Sequence, residues 1–319
     1  SATGRLSLTL ESMVSQVVSR SEKAVTRKSG IFARHETFHP RFGWLKKGFD
    51  QAAEDPGVFL REDAPVALGV GKNMVRSIRY WCRAFKVLAE DKPTSFGRQL
   101  LEDKGWDPFL EDPASLWLLH WNLLKDPCSA TAWAFTFNDF HRAEFSPEDL
   151  ERDLKQYCDR EFSSSIADSS IKKDVTCILR MYANPITEKS RASEESIDCP
   201  FAQLSLIDNL TGTHSFIFRV GPKHSLPVDI IVAACLQYAE SQTSQRRIAI
   251  SDLAFCPGSP GMVFKLPENS IYGAVEAMVE RYGEIHLADS AGLVQFSFEK
   301  DPSTLADDIL KKYYSSRRK

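Results

Sequence analysis

The 319-residue sequence has no CxxC pair, no apolar run that would span a bilayer and no tryptophan after position 133. Each absence closes off a class of protein. The seven cysteines (Cys82, Cys128, Cys158, Cys177, Cys199, Cys235 and Cys256) stand singly. An odd number at wide spacing excludes a disulfide framework or Cys-rich zinc site and fits reduced thiols in the cytoplasm. The longest apolar stretches, 129–137 and 226–238, fall short of the roughly 20 residues of a membrane helix or carry a charge, so no membrane partner is expected. The first 30 residues carry Glu11, Arg20, Glu22 and Lys23 and lack a signal-peptide core. Charge of one sign is also missing: 40 Lys+Arg against 43 Asp+Glu leaves −3. That excludes a polybasic binder over the whole surface but not a local basic face.

What is present is ordinary globular composition, 43% hydrophobic and 26% charged, at a length that suggests two or three domains. All six Trp residues lie within the first 133 positions, which suggests an aromatic N-terminal domain and a C-terminal half with a separate core. A polar, Pro-bearing stretch at 184–198 has the character of a linker. One arrangement recurs loosely three times: a short helix, a polar turn and a second amphipathic helix. It pairs 42–53 with 72–89, 147–158 with 169–182, and 251–255 with 267–282. The third ends in a hairpin of 284–288 and 293–298 around Asp289-Ser290-Ala291-Gly292, the layout of a winged helix. The expected fold is mainly α with small β-hairpins (α+β), in tandem winged-helix-like or helix-turn-helix units. The expected divisions are an N-terminal extension (1–30), a Trp-rich domain with the first unit (31–140), a second helical unit (141–190) and a C-terminal winged-helix-like domain (191–319).

Residues 72–89 carry the strongest pattern. Met74, Ile78, Trp81, Phe85 and Leu88 share one helical face, and Lys72, Arg76, Arg79, Arg83 and Lys86 share the opposite one. Most surface helices mix signs to gain pairs at i,i+4. Five cations without an acid among them suit a polyanion. Gly69-Val70-Gly71 supplies the turn ahead of a DNA-reading helix. Lys72, Asn73 and Arg76 would lie at its leading end, with Asn suited to adenine and Arg to guanine. Arg34, Arg41, Lys46 and Lys47 are candidates to extend the surface. The third unit's second helix carries Glu268, Glu276 and Glu280 instead, a face for protein rather than phosphate.

Other motifs look chemical. His35-Glu36-Thr37-Phe38-His39 is a literal HExxH, the zinc-peptidase pattern, but the motif needs a continuous helix and Pro40 opposes one at His39. Gly69-Val70-Gly71-Lys72-Asn73 resembles a P-loop end without its first Gly and its hydroxyl. Asn138-Asp139-Phe140-His141 with His120 resembles a loose His-Asn-His nuclease pattern, although His120 sits in an apolar helix and suits a core role. Cys256-Pro257-Gly258-Ser259-Pro260-Gly261 has the composition of a rigid corner.

Four blocks carry a family resemblance. They are the run from His35 through Trp44 to Gly48; Leu68 to Val75 with Ile78, Tyr80 and Trp81; Asp107-Pro108, Leu110-Glu111-Asp112-Pro113 and Trp117 to Trp121; and Ser259-Pro260-Gly261 before Phe264-Lys265-Leu266. From about Phe32 onward the chain resembles a bacterial domain-of-unknown-function family linked to DNA phosphorothioation operons, in which sulfur replaces a non-bridging phosphate oxygen. The resemblance is to the SspB-type component. It implies a DNA-binding, DNA-nicking protein of a modification and phage-defence system. The implied partners are DNA, a cysteine desulfurase, an ATPase and an ATP-pyrophosphatase-like sulfur transferase. Nicking needs a base to activate water and positive charge on the phosphate. His35, Glu36 and His39 are the candidates for base, orienter or metal ligand, with Mg²⁺ or Mn²⁺ as the expected cofactor. Arg41, Lys72 and Arg76 are the candidates for phosphate stabilisation. The alternative is a non-enzymatic winged-helix adaptor or regulator that recruits the machinery.

Overall fold

The computed structural model describes residues 29–183, 199–210, 212–242, 245–290 and 292–317. The expected linker, nearly all of the N-terminal extension and one residue of the 289–292 turn lie outside them. The chain is mainly helical with small antiparallel sheets.

The first unit begins with α1 (Trp44–Glu54), a 3₁₀ turn at Val58–Leu60 and α2 (Ala64–Leu68). Gly69 ends α2 in the left-handed region at φ 63°, with its N–H returned to the carbonyls of Pro65 and Val66. The chain then enters α3 (Lys72–Ala84), which buries Val75, Ile78, Trp81, Cys82 and Ala84. Gly48 lets α1 approach closely, since a Cβ there would stand 2.6 Å from Cys82 Sγ. α3 is shorter than its periodicity suggests. Phe85 caps it, Lys86 turns the chain at φ 60°, and β1 (Leu88–Ala89) pairs with β2 (Lys92–Pro93). Both residues of the intervening turn, Glu90 and Asp91, have positive φ, a hairpin geometry usually signalled by Asn or Gly. Thr94 then caps α4 (Ser95–Leu101), its side chain accepting from the Gly97 N–H.

At the centre lies α5 (Pro113–Leu124), capped by Asp112 and buried at every residue after Pro113. An all-round apolar helix of this kind belongs inside a core. It is followed by α6 (Thr131–Asn138), β3 (Glu144–Phe145), α7 (Pro147–Glu161), α8 (Asp168–Tyr182), a 3₁₀ turn at Pro200–Leu204, β4 (Ile207–Asn209) and β5 (Phe216–Phe218). Next come α9 (Val228–Gln242), β6 (Arg247–Ala249), α10 (Ile250–Phe255), α11 (Pro260–Phe264), α12 (Glu268–Val279), β7 (Ile285–Ser290), β8 (Leu293–Phe298) and α13 (Pro302–Arg317). α9 packs on both α12 and α13.

Two three-stranded sheets share one plan. A strand leads into helices, two strands return, and the last strand lies between the other two: β3-β5-β4 and β6-β8-β7. The boundary expected at 190 therefore falls within a packed unit, because Phe145 pairs with Phe216 across it. The expected separate C-terminal core is also corrected. One continuous apolar cluster runs from Trp44 to Tyr314, because α5 contributes apolar faces in every direction.

Candidate nucleic-acid interface

The outward face of α3 opens with Lys72 and Asn73, both exposed and without a hydrogen bond or ion pair among the described residues. They occupy the first helical turn, where the helix dipole favours negative charge. Arg76, one turn on, is 57% exposed at its side chain and stands 3.5 Å from Glu36. A groove of about 610 Å³ opens beside the preceding turn, bordered by Lys46, Gly69 and the exposed Phe42, Val66 and Phe109.

Further along, the stripe is no longer of one sign. Asp91 is only 4% exposed and takes Arg79 through Nε and Nη2 at 2.7–3.0 Å and Arg83 through Nε at 2.8 Å. Burial pushes the Asp91 carboxyl up, but the two guanidinium groups outweigh it and hold it below the usual range. Lys86 leaves the rail altogether. It lies beyond the helix end and donates to the carbonyls of Asn122 and Lys125, with burial drawing its pKa down to about 8. Lys46 pairs with Asp50 and Asp103 at 2.7 and 2.8 Å, and Lys47 donates to the Leu68 carbonyl. Arg41 lies over the rings of Phe38 and Trp44. Of the cations expected on this surface, Arg34 and Lys72 are exposed without an ion pair among the described residues, and Arg76 is exposed beside Glu36.

The His35–His39 segment is a turn, not a helix: Ala33, Glu36 and Thr37 all have positive φ, so the two imidazoles do not share a helical face. His35 is fully buried against Trp81 and Trp133. Its Nε2 is 2.8 Å from Asp174 Oδ1, which also accepts the Ala33 N–H at 2.9 Å. Burial pushes the Asp174 carboxyl up despite these bonds. His39 is buried as well. Glu36 alone of the three reaches the surface, beside Arg76. A water attacking a bound phosphate is out of reach of the His35 ring in this arrangement. No group of three or more His, Cys, Asp or Glu residues suited to a metal occurs among the described residues.

The remaining motifs are structural. His120 Nδ1 meets the Tyr182 hydroxyl at 2.7 Å and Nε2 meets the Val263 carbonyl at 2.9 Å, while burial lowers its pKa to about 4. Asn138 Oδ1 accepts the Gly258 N–H. In the Cys256–Gly261 corner, Ser259 caps α11, and Gly261 packs where a Cβ would stand 2.3 Å from the Ala254 carbonyl oxygen. Lys265 is buried, donates to the Phe137 carbonyl at 2.7 Å and lies 4.4 Å from the Phe218 ring centre. Sequence reasoning missed one exposed basic row: Lys172, Lys173 and Arg180 on α8. Its signal was present, because Ile171, Val175, Ile178 and Tyr182 define the opposite, buried face.

The family model described as "Protein of unknown function (DUF4007)" matches residues 32–314. The chain belongs to this family. Two solved structures resemble it over nearly the whole length. One, described as "SspB crystal structure", is 37% identical with a TM-score of 0.85, covering 91% of this chain and 90% of its own. The other, "Magnesium ion-bound SspB crystal structure", is 36% identical with a TM-score of 0.84, covering 92% and 90%. No curated protein matches. The resemblance expected from the four sequence blocks thus holds at the level of the DUF4007 family and an SspB-like structure. No helix among the described residues is long and apolar enough to cross a membrane.

Proposed function

We propose that this protein is the SspB-like, DNA-binding component of a DNA phosphorothioation system, and that its repeated units are winged helices. The observation that carries the DNA reading is the solvent-open Lys72, Asn73 and Arg76 on the leading turns of α3, behind the Gly69–Gly71 turn. In a helix-turn-helix this end of the second helix enters the major groove. The winged-helix reading rests on the recurrent strand order, in which the final strand lies between the first strand and its hairpin partner. The phosphorothioation setting rests on the similarity to SspB across nine-tenths of both chains. Fluorescence anisotropy with a labelled duplex tests the proposal. Binding that weakens on Lys72→Gln with Arg76→Gln supports it, and the same affinity in the double variant rejects it.

Strand nicking is a second reading, favoured by the position of Glu36 next to Arg76 and by the similarity to a magnesium-bound SspB. Mg²⁺ commonly keeps several waters and takes one or two carboxylates with substrate phosphates. Glu36 fits that single-carboxylate mode, whereas a protein cage of several ligands does not fit the described residues. A plasmid-relaxation assay with Mg²⁺ or Mn²⁺ separates the readings. Relaxation abolished by Glu36→Gln supports nicking at this surface, and unrelaxed plasmid under every condition leaves the adaptor.

A further inference from the structure

We propose that α8 is a second duplex-DNA contact, used together with the leading end of α3, and that residues 33–38 hold the two helices in register. This rests on the DNA reading of α3.

The argument begins with charge. The buried face of α8 is Ile171, Val175, Ile178 and Tyr182, with Asp174 beside them. Lys172, Lys173, Thr176 and Arg180 are left on the exposed face. Neighbouring α7 shows what an ordinary solvent face looks like in the same unit. There Arg152 pairs with Asp149 and Asp153, Lys155 with Asp159 at 3.2 Å, and Arg160 with Glu161 at 2.8 Å. α8 carries one acid on its outer side, Asp168 at its first residue, and that carboxylate lies 3.8 Å from Lys155. Lys172 and Lys173 have no ion pair among the described residues. Adjacent like charges repel, and a row of them is stabilised by a polyanion rather than by its own helix.

Topology supplies the second, independent observation. α3 and α8 hold comparable places in their units: each is the last α-helix described before two short strands, α3 after α1 and α2 and α8 after α7. α12 holds that place in the third unit, with Glu268 and Glu276 exposed along it and Glu280 exposed at its C-cap. Two equivalent helices present cations and the third presents carboxylates. A phosphate backbone is therefore accepted by the first two units and turned away by the third.

The third observation concerns register. The Ala33 N–H and the His35 ring both bond the buried Asp174 of α8, while Glu36 meets Arg76 of α3 and the Phe38 carbonyl accepts the Trp81 N–H at 3.0 Å. Six residues therefore fasten both helices. Arg34 is exposed between Ala33 and His35, adding a cation at the attachment to α8. The HExxH segment, its two histidines buried, acts here as a clasp that spaces two DNA-contacting helices.

The test uses the full chain and a duplex of about 30 base pairs, enough for two contacts one helical turn apart. Lys172→Gln with Lys173→Gln is expected to weaken binding roughly tenfold and to reduce the slope of log affinity against log salt by about 2. Glutamine keeps good helix propensity at these exposed positions, and an unchanged thermal melt verifies the fold. Wild-type affinity in this variant, alongside impaired Lys72→Gln with Arg76→Gln, overturns the α8 contact and leaves the α3 reading standing. The converse pattern overturns the α3 reading and, with it, the joint contact proposed here. No binding by the wild-type chain overturns both.

Discussion

At the scale of single residues, burial decides which titratable groups can do chemistry. His120 has both ring nitrogens satisfied inside the core, and its folded pKa of about 4 lies below the ordinary 6.5. Between those values the unfolded chain binds a proton that the folded chain refuses. Stability therefore falls as pH drops from 6.5 to 4, by about 3 kcal/mol from this group. Urea denaturation should show His120→Gln less stable at pH 7 and with a shallower loss across that window; an identical pH slope in the variant would reject the assignment. Asp91 works in the opposite sense to the expected cationic rail. Asp91→Asn removes the anion that Arg79 and Arg83 share, and should cost about 1–3 kcal/mol, since both arginines are partly exposed. Freed of that anion, the two guanidinium groups should raise duplex affinity at low salt, a gain that anisotropy would record despite the lower melting temperature. The core role of His120 was legible, because an imidazole in an all-apolar helix has no other place to go. Asp91 was not. It lies 12 and 8 residues from its partners, beyond the helix, and no periodicity links them.

At the scale of elements, the sequence announced starts better than ends. Gly69-Val70-Gly71 and the apolar spacing correctly locate the first turn of α3, since glycine there has a conformational reason. The C-terminus was obscured because a left-handed Lys86 and a Glu90–Asp91 turn do the work usually given to Gly and Asn. The long hairpin β7–β8 was legible from alternation, whereas β3, at two residues, and β4 and β5, at three, are too short to show any. The HExxH run misleads for a related reason. Its spacing is that of a helix turn, but Glu36 and Thr37 adopt left-handed backbone that directs His35 inward. Asp174→Ala should expose what that segment does. Losing the carboxylate strands the Ala33 N–H and the His35 ring in the core, costing about 3 kcal/mol. The variant should also give faster amide exchange in residues 33–38 than in α5. Uniform exchange across both would mean that the segment is held by packing alone.

At the scale of the whole molecule, α5 joins what the sequence suggests are separate domains. Its Trp117 and Trp121 donate to Ser225 and Gln237, and its His120 reaches Tyr182 and Val263. With Lys86 donating to its Asn122 carbonyl, α5 braces all the repeated units, and a rigid brace is what the two proposed DNA contacts at a fixed spacing would require. The net charge of −3 then acquires a meaning. Acids on α12 and paired acids on α7 offset the exposed cations of α3, Arg34 and α8, while further exposed cations such as Arg246, Lys311 and Lys312 lie on the third unit. Counterion release converts the two-helix contact into a number. Lys72, Arg76, Lys172, Lys173 and Arg34 are five cations, so log affinity against log salt should have a slope of roughly −4 to −5. Arg79 and Arg83 add little because Asp91 already faces them, which distinguishes this footprint from the longer rail that the helix periodicity alone suggests. A salt titration from 50 to 300 mM on the wild-type chain measures the slope. A value shallower than −2 would mean that the phosphates touch only one of the two helices, whereas one steeper than about −7 would mean that Arg79 and Arg83 leave Asp91 when DNA arrives.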